Sequence, residues 1–242
     1  MSKVYQFAFD RITQCYINDI STEDKIEIIQ ECIDNGVNFR ANDDEAFIKA
    51  CNCGYSEIVK LFINLGSDIS AQNNEAIKKS TGYIDIVKLL VDNGIDPSFE
   101  SNYLLRKLSM CKITNDNILI IKYLLGMGVN CSEPNNQTIY NAVAHDHNYE
   151  LVKLLLENGA DPNTIGSIDK KIFSPKENLD QFFNNRSLIE LAIMKNDVNI
   201  CKLLISYGVD IFEKIEQINE LIKRWTIKSS TVKYLTELGL EL

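Results

Sequence analysis

Two short clusters hold the side chains whose types and spacing could do chemistry. His145-Asp146-His147 contains both histidines of the 242-residue chain, and Cys51-Asn52-Cys53 contains two of its seven cysteines. Two imidazoles on one short turn supply two ligands, whereas a zinc site takes three or four. The turn therefore reads as a metal half-site without partners, a surface contact for another protein, or a plain solvated turn. Cys-x-Cys spacing is a weak redox or metal signal, and Cys51 reads more simply as a small core residue. There is no Gly-rich phosphate loop, no Ser/His/Asp set identifiable from spacing, and the acidic residues are dispersed along the chain. The sequence thus predicts no enzyme, no metal and no cofactor.

The bulk numbers narrow the partner class. With 45% hydrophobic and 24% charged residues the chain has the composition of a globular protein, and a formal net charge of −9 argues against a phosphate-binding surface and so against nucleic acid. The start, MSKVYQFAFDR, has no long apolar stretch. The most apolar run, ILIIKYLLGMGV, is interrupted by Lys122 and is too short to span a bilayer. An odd cysteine count without regular spacing, with Cys32 and Cys201 inside apolar helical patterns, points to reduced core thiols and no disulfide framework. The expectation is an intracellular protein, cytoplasmic or nuclear, with no membrane partner.

The elements that must position any site come from a pattern that repeats. An apolar pair, Lys, more apolar residues and then Gly recur as EIIQECIDNGVN, EIVKLFINLGSD, DIVKLLVDNGID, LIIKYLLGMGVN, ELVKLLLENGAD, NICKLLISYGVD and STVKYLTELGLE. The first of the seven departs by carrying Gln in place of Lys. Their glycines, Gly36, Gly66, Gly94, Gly128, Gly159, Gly208 and Gly239, are separated by 30, 28, 34, 31, 49 and 31 residues. Within a copy the apolar residues fall at i, i+3 and i+4, as in Val152, Leu155 and Leu156, which marks one buried stripe of a helix. The glycine sits where a left-handed residue ends that helix, and the Asp or Asn two residues on can close a tight turn. A weaker helix precedes each copy, as in EAFIKACNCG, TIYNAVAHDH and SLIELAIMKN.

Ser187-Leu188-Ile189-Glu190-Leu191-Ala192 sits where an ankyrin repeat carries Thr-Pro-Leu-His-x-Ala, and Gly159-Ala160-Asp161-Pro162-Asn163 matches that family's Gly-Ala-Asp-x-Asn. The chain resembles an ankyrin-repeat protein over roughly residues 15–242. The match is strong in every second helix and poor in the first, where Pro and His are replaced. Repeats this short and this rich in Asn, Ile and Lys, with phrases such as AQNNEAI, are similar to the ankyrin arrays of large DNA viruses of amoebae. The resemblance implies an all-α ankyrin-repeat solenoid of about seven helix-turn-helix units in one domain, 1–242, with residues 1–20 as an atypical capping segment and about 164–186 as an insertion.

Departures from the family pattern carry further expectations. Only nine positions separate Gly36 from Glu45, so the fingers between units are shortened. The 34-residue step places its extra residues in the first helix or the turn after it, within Ser101 to Asn117. Ser21 with Asp24 can start a helix, and Trp225 is expected to be buried in the last helix pair. Inside the insertion, Ser174-Pro175-Lys176-Glu177 has the form of a capping box and predicts a short helix from Pro175 to Phe183. Leu179, Phe182 and Phe183 would share its face, either folded back on the array or presented as a docking knob.

The function that the resemblance implies is a scaffold that binds an unidentified protein through the concave face of first helices and turns, as a monomer in the cytoplasm or nucleus, of the host cell if viral. The rival is an architectural component that packs against its own copies. The contact residues expected are Asn52, Cys53, His145, Asp146, Met194 and Lys195, with Phe173, Leu179, Phe182 and Phe183 of the insertion as accessories.

Overall fold

The computed structural model describes residues 2–14, 20–145, 148–167 and 184–241. Its helices fall into two compact units, Met1–Pro97 and Ser98–Leu242. In the first, the helices are α1 (Ser2–Ile12) and α2 (Thr22–Asp34), α3 (Ala41–Cys53) and α4 (Ser56–Asn64), and α5 (Ala71–Lys79) and α6 (Ile84–Asp92). The second holds α7 (Phe99–Leu108) and α8 (Asn115–Gly126), α9 (Gln137–Ala144) and α10 (Tyr149–Glu157), α11 (Leu188–Met194) and α12 (Val198–Ser206), and α13 (Ile215–Arg224) and α14 (Ser229–Glu237). Two-residue strands β1 (Ile165–Gly166) and β2 (Arg186–Ser187) pair antiparallel at the base of the long step, Ile165 opposite Ser187. The architecture is the all-α repeat array expected, with each glycine-ended tile as the second helix of a pair.

Within each unit, first helices pack on first helices and second on second: α3 on α5, α4 between α2 and α6, α9 between α7 and α11, α12 between α10 and α14. The apolar stripes explain this layering. Ile58, Val59 and Phe62 of α4, Ile86, Val87 and Leu90 of α6, and Leu151, Val152 and Leu155 of α10 have no exposed surface. Each such side chain contributes about 1.5–3 kcal/mol by leaving water, so a short nine-residue helix is held by its neighbours and not by its own propensity. The α1 helix joins through Phe9 and Ile12, with Phe9 edge-on to Phe62 at 6.2 Å. As expected, Ser21 caps α2 by accepting from the Asp24 N–H at 3.0 Å.

The tile endings are also as read. All seven glycines have φ between 85° and 109°. At Gly159 the turn closes with Gly159 N–H to Leu156 O at 3.1 Å and Ala160 N–H to Leu155 O at 3.0 Å. Two residues beyond, Asn38, Asp68, Asn130, Asp161 and Asp210 each accept a backbone N–H from two positions on, at 2.8–3.1 Å.

What the shortened fingers do instead of a hairpin is new. Asn42-Asp43-Asp44, Gln72-Asn73-Asn74 and Glu100-Ser101-Asn102 each place three successive residues in the left-handed region, φ 47–62°, immediately before a first helix. Asn135-Asn136 does so with two residues, after a cis Glu133–Pro134 bond. This conformation costs about 1–2 kcal/mol per ordinary residue and least for Asn and Asp, which accounts for the amides and acids that crowd these positions. Within each unit their side chains then tie a finger to the turn that follows: the Asp44 carboxylate accepts Asp68 N–H at 3.2 Å, Asn102 Nδ2 donates to Asn130 O at 2.7 Å, and Asn136 Oδ1 accepts Asp161 N–H at 2.9 Å.

Some expectations need correction or placing. The extra residues of the 34-residue step lengthen, as expected, the turn after the first helix, Ser109 to Thr114, and beyond the expectation also the second helix, α8, whose start Thr114 and Asn117 cap reciprocally. Trp225 is half-buried, not buried, because the backbone turns extended there at the end of α13. Cys32, Cys51, Cys111, Cys131 and Cys201 are free thiols as expected, but Cys53 is disulfide-bonded. The helix expected at Pro175–Phe183 lies outside the described residues.

Candidate protein-binding face

In the first unit, α3 turns Phe47, Ala50 and Cys51 inward, and burial pushes the Cys51 thiol up to about 12. The opposite face presents Glu45, Lys49 and Asn52, spaced four and three residues apart. Lys49 Nζ lies 2.7 Å from Glu45 Oε1, and Asn42 Nδ2 donates to Glu45 Oε2 at 3.0 Å. The hydrogen bond from Lys49, then that from Asn42, holds the Glu45 carboxyl below its ordinary value. One repeat on, α5 presents Glu75 and Lys79, 3.3 Å apart. Pairs this exposed are worth about 0–1 kcal/mol, so they orient the surface more than they stabilise it.

The fingers extend the same face. Arg40 Nη2 lies 3.1 Å from Asp44 Oδ2, which raises the guanidinium pKa above its ordinary value. Gln72 N–H donates to Asp43 Oδ2 at 3.1 Å, and its Nε2 donates to the carbonyls of Asn42 and Asp43, both at 3.0 Å. Exposed amides and carboxylates are thereby fixed on a rigid ladder. Between α1 and α3 a groove of about 270 Å³ is lined by Gln6, Asp10, Asn38, Asn42, Glu45 and Lys49 among others. It is a polar groove, suited to hydrogen bonding with a polypeptide and not to holding an apolar ligand.

The second unit treats the equivalent positions differently. Thr138 to Ala144 of α9 and Leu188 to Met194 of α11 are buried throughout. β1 lies over α9, close enough that a Cβ on Gly166 would sit 2.7 Å from Tyr140 Cδ2, and Gln137 Nε2 donates to Ser167 O at 2.8 Å. Ser187 caps α11 reciprocally with Glu190, whose other oxygen takes Arg186 Nη1 at 2.9 Å. Burial raises the Glu190 pKa, but hydrogen bonds from Ser187 and Arg186 outweigh that and leave it lowered. A groove of about 510 Å³ lies instead on the second helices α8 and α10, among Ile118, Leu119, Lys122, Lys153 and Leu154.

The structure scatters the contact residues expected from sequence. Asn52 is exposed at the end of α3, beside half-buried Cys53. His145 is half-buried where α9 ends, its N–H bonded to Asn141 O at 2.9 Å. Met194 is 9% exposed and belongs to the core, since α11 is enclosed on all faces. Lys195 is half-buried and donates Nζ to the Ala144 carbonyl at the end of α9; burial pushes its pKa down. Both were expected at a surface; the packing of α11 on α9 buries Met194 and leaves Lys195 part-exposed at the end of the helix. Asp146, Phe173, Leu179, Phe182 and Phe183 lie outside the described residues. Glu45, Lys49, Glu75 and Lys79 were missed, although Glu-x-x-x-Lys repeated one unit apart was a legible signal.

Among the described residues no group of three or more His, Cys, Asp or Glu is placed to hold a metal ion, and no helix is long and apolar enough to cross a membrane. No curated protein matches the chain. The family model of ankyrin repeats, three copies, matches residues 19–101 and 108–215.

Proposed function

The chain belongs to the ankyrin-repeat family, whose repeats generally mediate protein–protein interactions, and from that premise we propose that it is a non-catalytic scaffold whose binding face is the first-helix and finger surface of residues 1–97. The observation that carries this reading is the row of polar groups Asn42, Glu45, Lys49, Asn52, Glu75 and Lys79 on rigid elements, exposed except for half-buried Glu45 and Glu75. A partner meeting such a row gains hydrogen bonds without having to order long side chains, which is how a preorganised surface raises affinity. A protein or peptide with alternating charge fits it.

The Asn-, Ile- and Lys-rich repeats support, by resemblance, a source among the large DNA viruses of amoebae. The partner is then a protein of the infected cell, met in its cytoplasm or nucleus. Site-specific photo-crosslinking tests the face: a crosslinker at Lys49 or Asn52 captures a defined partner, and one at Glu57 or Lys60 on α4 does not. Equal capture from both positions, or capture only from α4, overturns the assignment.

A further inference from the structure

The outer face of α1 is not part of that row, and it lies outside the residues that match the family model. Phe9 and Ile12 face the core, while Val4 and Phe7, on the opposite side, are 71% and 64% exposed, more than any other large apolar side chain among the described residues. Arg11 lies on the same stripe with its guanidinium 5.8 Å from the Phe7 ring, and Lys3 is exposed beside it. The α1 face is therefore apolar with a border of Lys3 and Arg11, beside which Asp10, also exposed, accepts from Gln6 Nε2 at 2.9 Å.

The neighbouring helix has the opposite character. α2 packs against α1, and its solvent side carries Glu23, Asp24, Glu27, Glu31 and Asp34, all exposed or half-exposed. Its one cation, Lys25, is 4% exposed and sits 4.2 Å over the Tyr55 ring, so it neutralises none of that stripe. Tyr5, one turn before Phe9, donates to Glu31 at 3.5 Å, which places the acidic stripe along the flank of α1. Among the described residues neither Lys3 nor Arg11 forms an ion pair with these carboxylates. Two complementary stripes lie side by side and do not use each other.

We infer that this face binds a second copy of the chain. A two-fold axis running between α1 and α2 lays α1 of each copy on α2 of the other, covers Phe7 and Val4 with the methylene stems of the partner copy's α2 side chains, and sets Lys3 and Arg11 against Glu27 and Glu31 of the partner copy. The contact is isologous and closes at a dimer. Two helices of 11 and 13 residues span about 16–20 Å, giving roughly 400 Å² of projected area. That is below the ~800 Å² per partner of a standard interface, so the dimer is weak and concentration-dependent. It is also salt-sensitive, because exposed charges are screened within about 8 Å at physiological ionic strength.

Light scattering on the full chain tests this. At low salt and about 100 µM the mass should approach twice 27.5 kDa, and fall toward a single chain on dilution or in high salt. Phe7→Asp should leave a monomer. Lys3→Glu with Arg11→Glu, or Glu27→Lys with Glu31→Lys, should weaken association at least tenfold, and all four together should restore it. Circular dichroism on each variant separates loss of association from loss of fold, since none of the substituted side chains is buried. A single-chain mass at all concentrations, a dimer indifferent to these substitutions, or a mass that climbs past the dimer would each overturn the inference.

Discussion

The first helices α3 and α5 and the first helices α9 and α11 descend from one pattern yet meet different surroundings. In α3 the outward positions Lys49 and Asn52 stay in water and Glu45 is half-exposed, whereas α9 and α11 have no exposed residue from Thr138 to Ala144 or from Leu188 to Met194. The difference is set by the chain beyond Gly159. β1 lies over α9 and β2 against α11, and the residues beneath them are apolar or buried polar where α3 carries charge. A covered first helix works as core, and an uncovered one works as a surface. Binding capacity in this array is therefore a matter of coverage more than of repeat sequence.

The strongest way to break that contrast is to empty the covered side. Tyr140 is fully buried between α9 and β1, and Tyr140→Ala should cost about 3–5 kcal/mol. Lys49→Ala on the uncovered side should stay within about 0.5 kcal/mol. Denaturant unfolding with hydrogen exchange resolved by segment checks both size and place; equal losses would mean that coverage is not what stabilises α9. Gly166→Ala tests the same contact from the ribbon side. Its new methyl would meet a ring that buried neighbours hold in position, at an expected cost of about 1–3 kcal/mol.

A middle-sized effect should appear in acid. Glu190 has its pKa lowered in the folded state, so its contribution to stability is present above its ordinary value of 4.5 and is lost as pH falls through the lower folded value. Glu190→Gln should cost about 1–2 kcal/mol near neutrality and flatten the fall in stability below pH 4.5. Glu45, also lowered but with a half-exposed side chain screened by solvent, should show far less of this when changed to Gln. Melting temperatures of the wild type and both variants across the acid range decide it, and a Glu190 variant as acid-sensitive as the wild type would refute the role given to that carboxyl.

The same contrast separates what could be read from sequence from what could not. The second helices and their endings were legible because one local rule, an apolar stripe closed by a left-handed glycine, is written out seven times. Coverage was not legible, because nothing within SLIELAIM says that its outward side chains will be enclosed by chain arriving from elsewhere. Met194 was misplaced for that reason. The disulfide at Cys53 was likewise invisible to spacing, since Cys51 two residues earlier is a buried free thiol. The finger conformation was half-written: Asn and Asp at Asn42, Asp43, Asn73, Asn74 and Asn102 carried the left-handed preference, but a shortened hairpin and a left-handed turn share that composition.

The smallest predicted effect separates those last two conformations and returns to the contrast between the units. Ser101 holds φ 54° in its finger, and Asn73 holds φ 57° in the corresponding finger of the first unit. A serine there bears about 1–2 kcal/mol of left-handed strain that glycine would not, while glycine loses about 0.5–1 kcal/mol more on folding through its freer unfolded chain. The balance makes Ser101→Gly stabilising by about 0.5–1 kcal/mol, with the Arg106 Nε bond to the Ser101 carbonyl retained because the acceptor is backbone. Asn73→Gly should be near neutral, since asparagine already tolerates the conformation, and Ser101→Val should be destabilising by more than about 1 kcal/mol. Urea unfolding midpoints read all three. A hairpin-like finger would give the opposite sign for Ser101→Gly, because there the glycine would bring only its entropy cost.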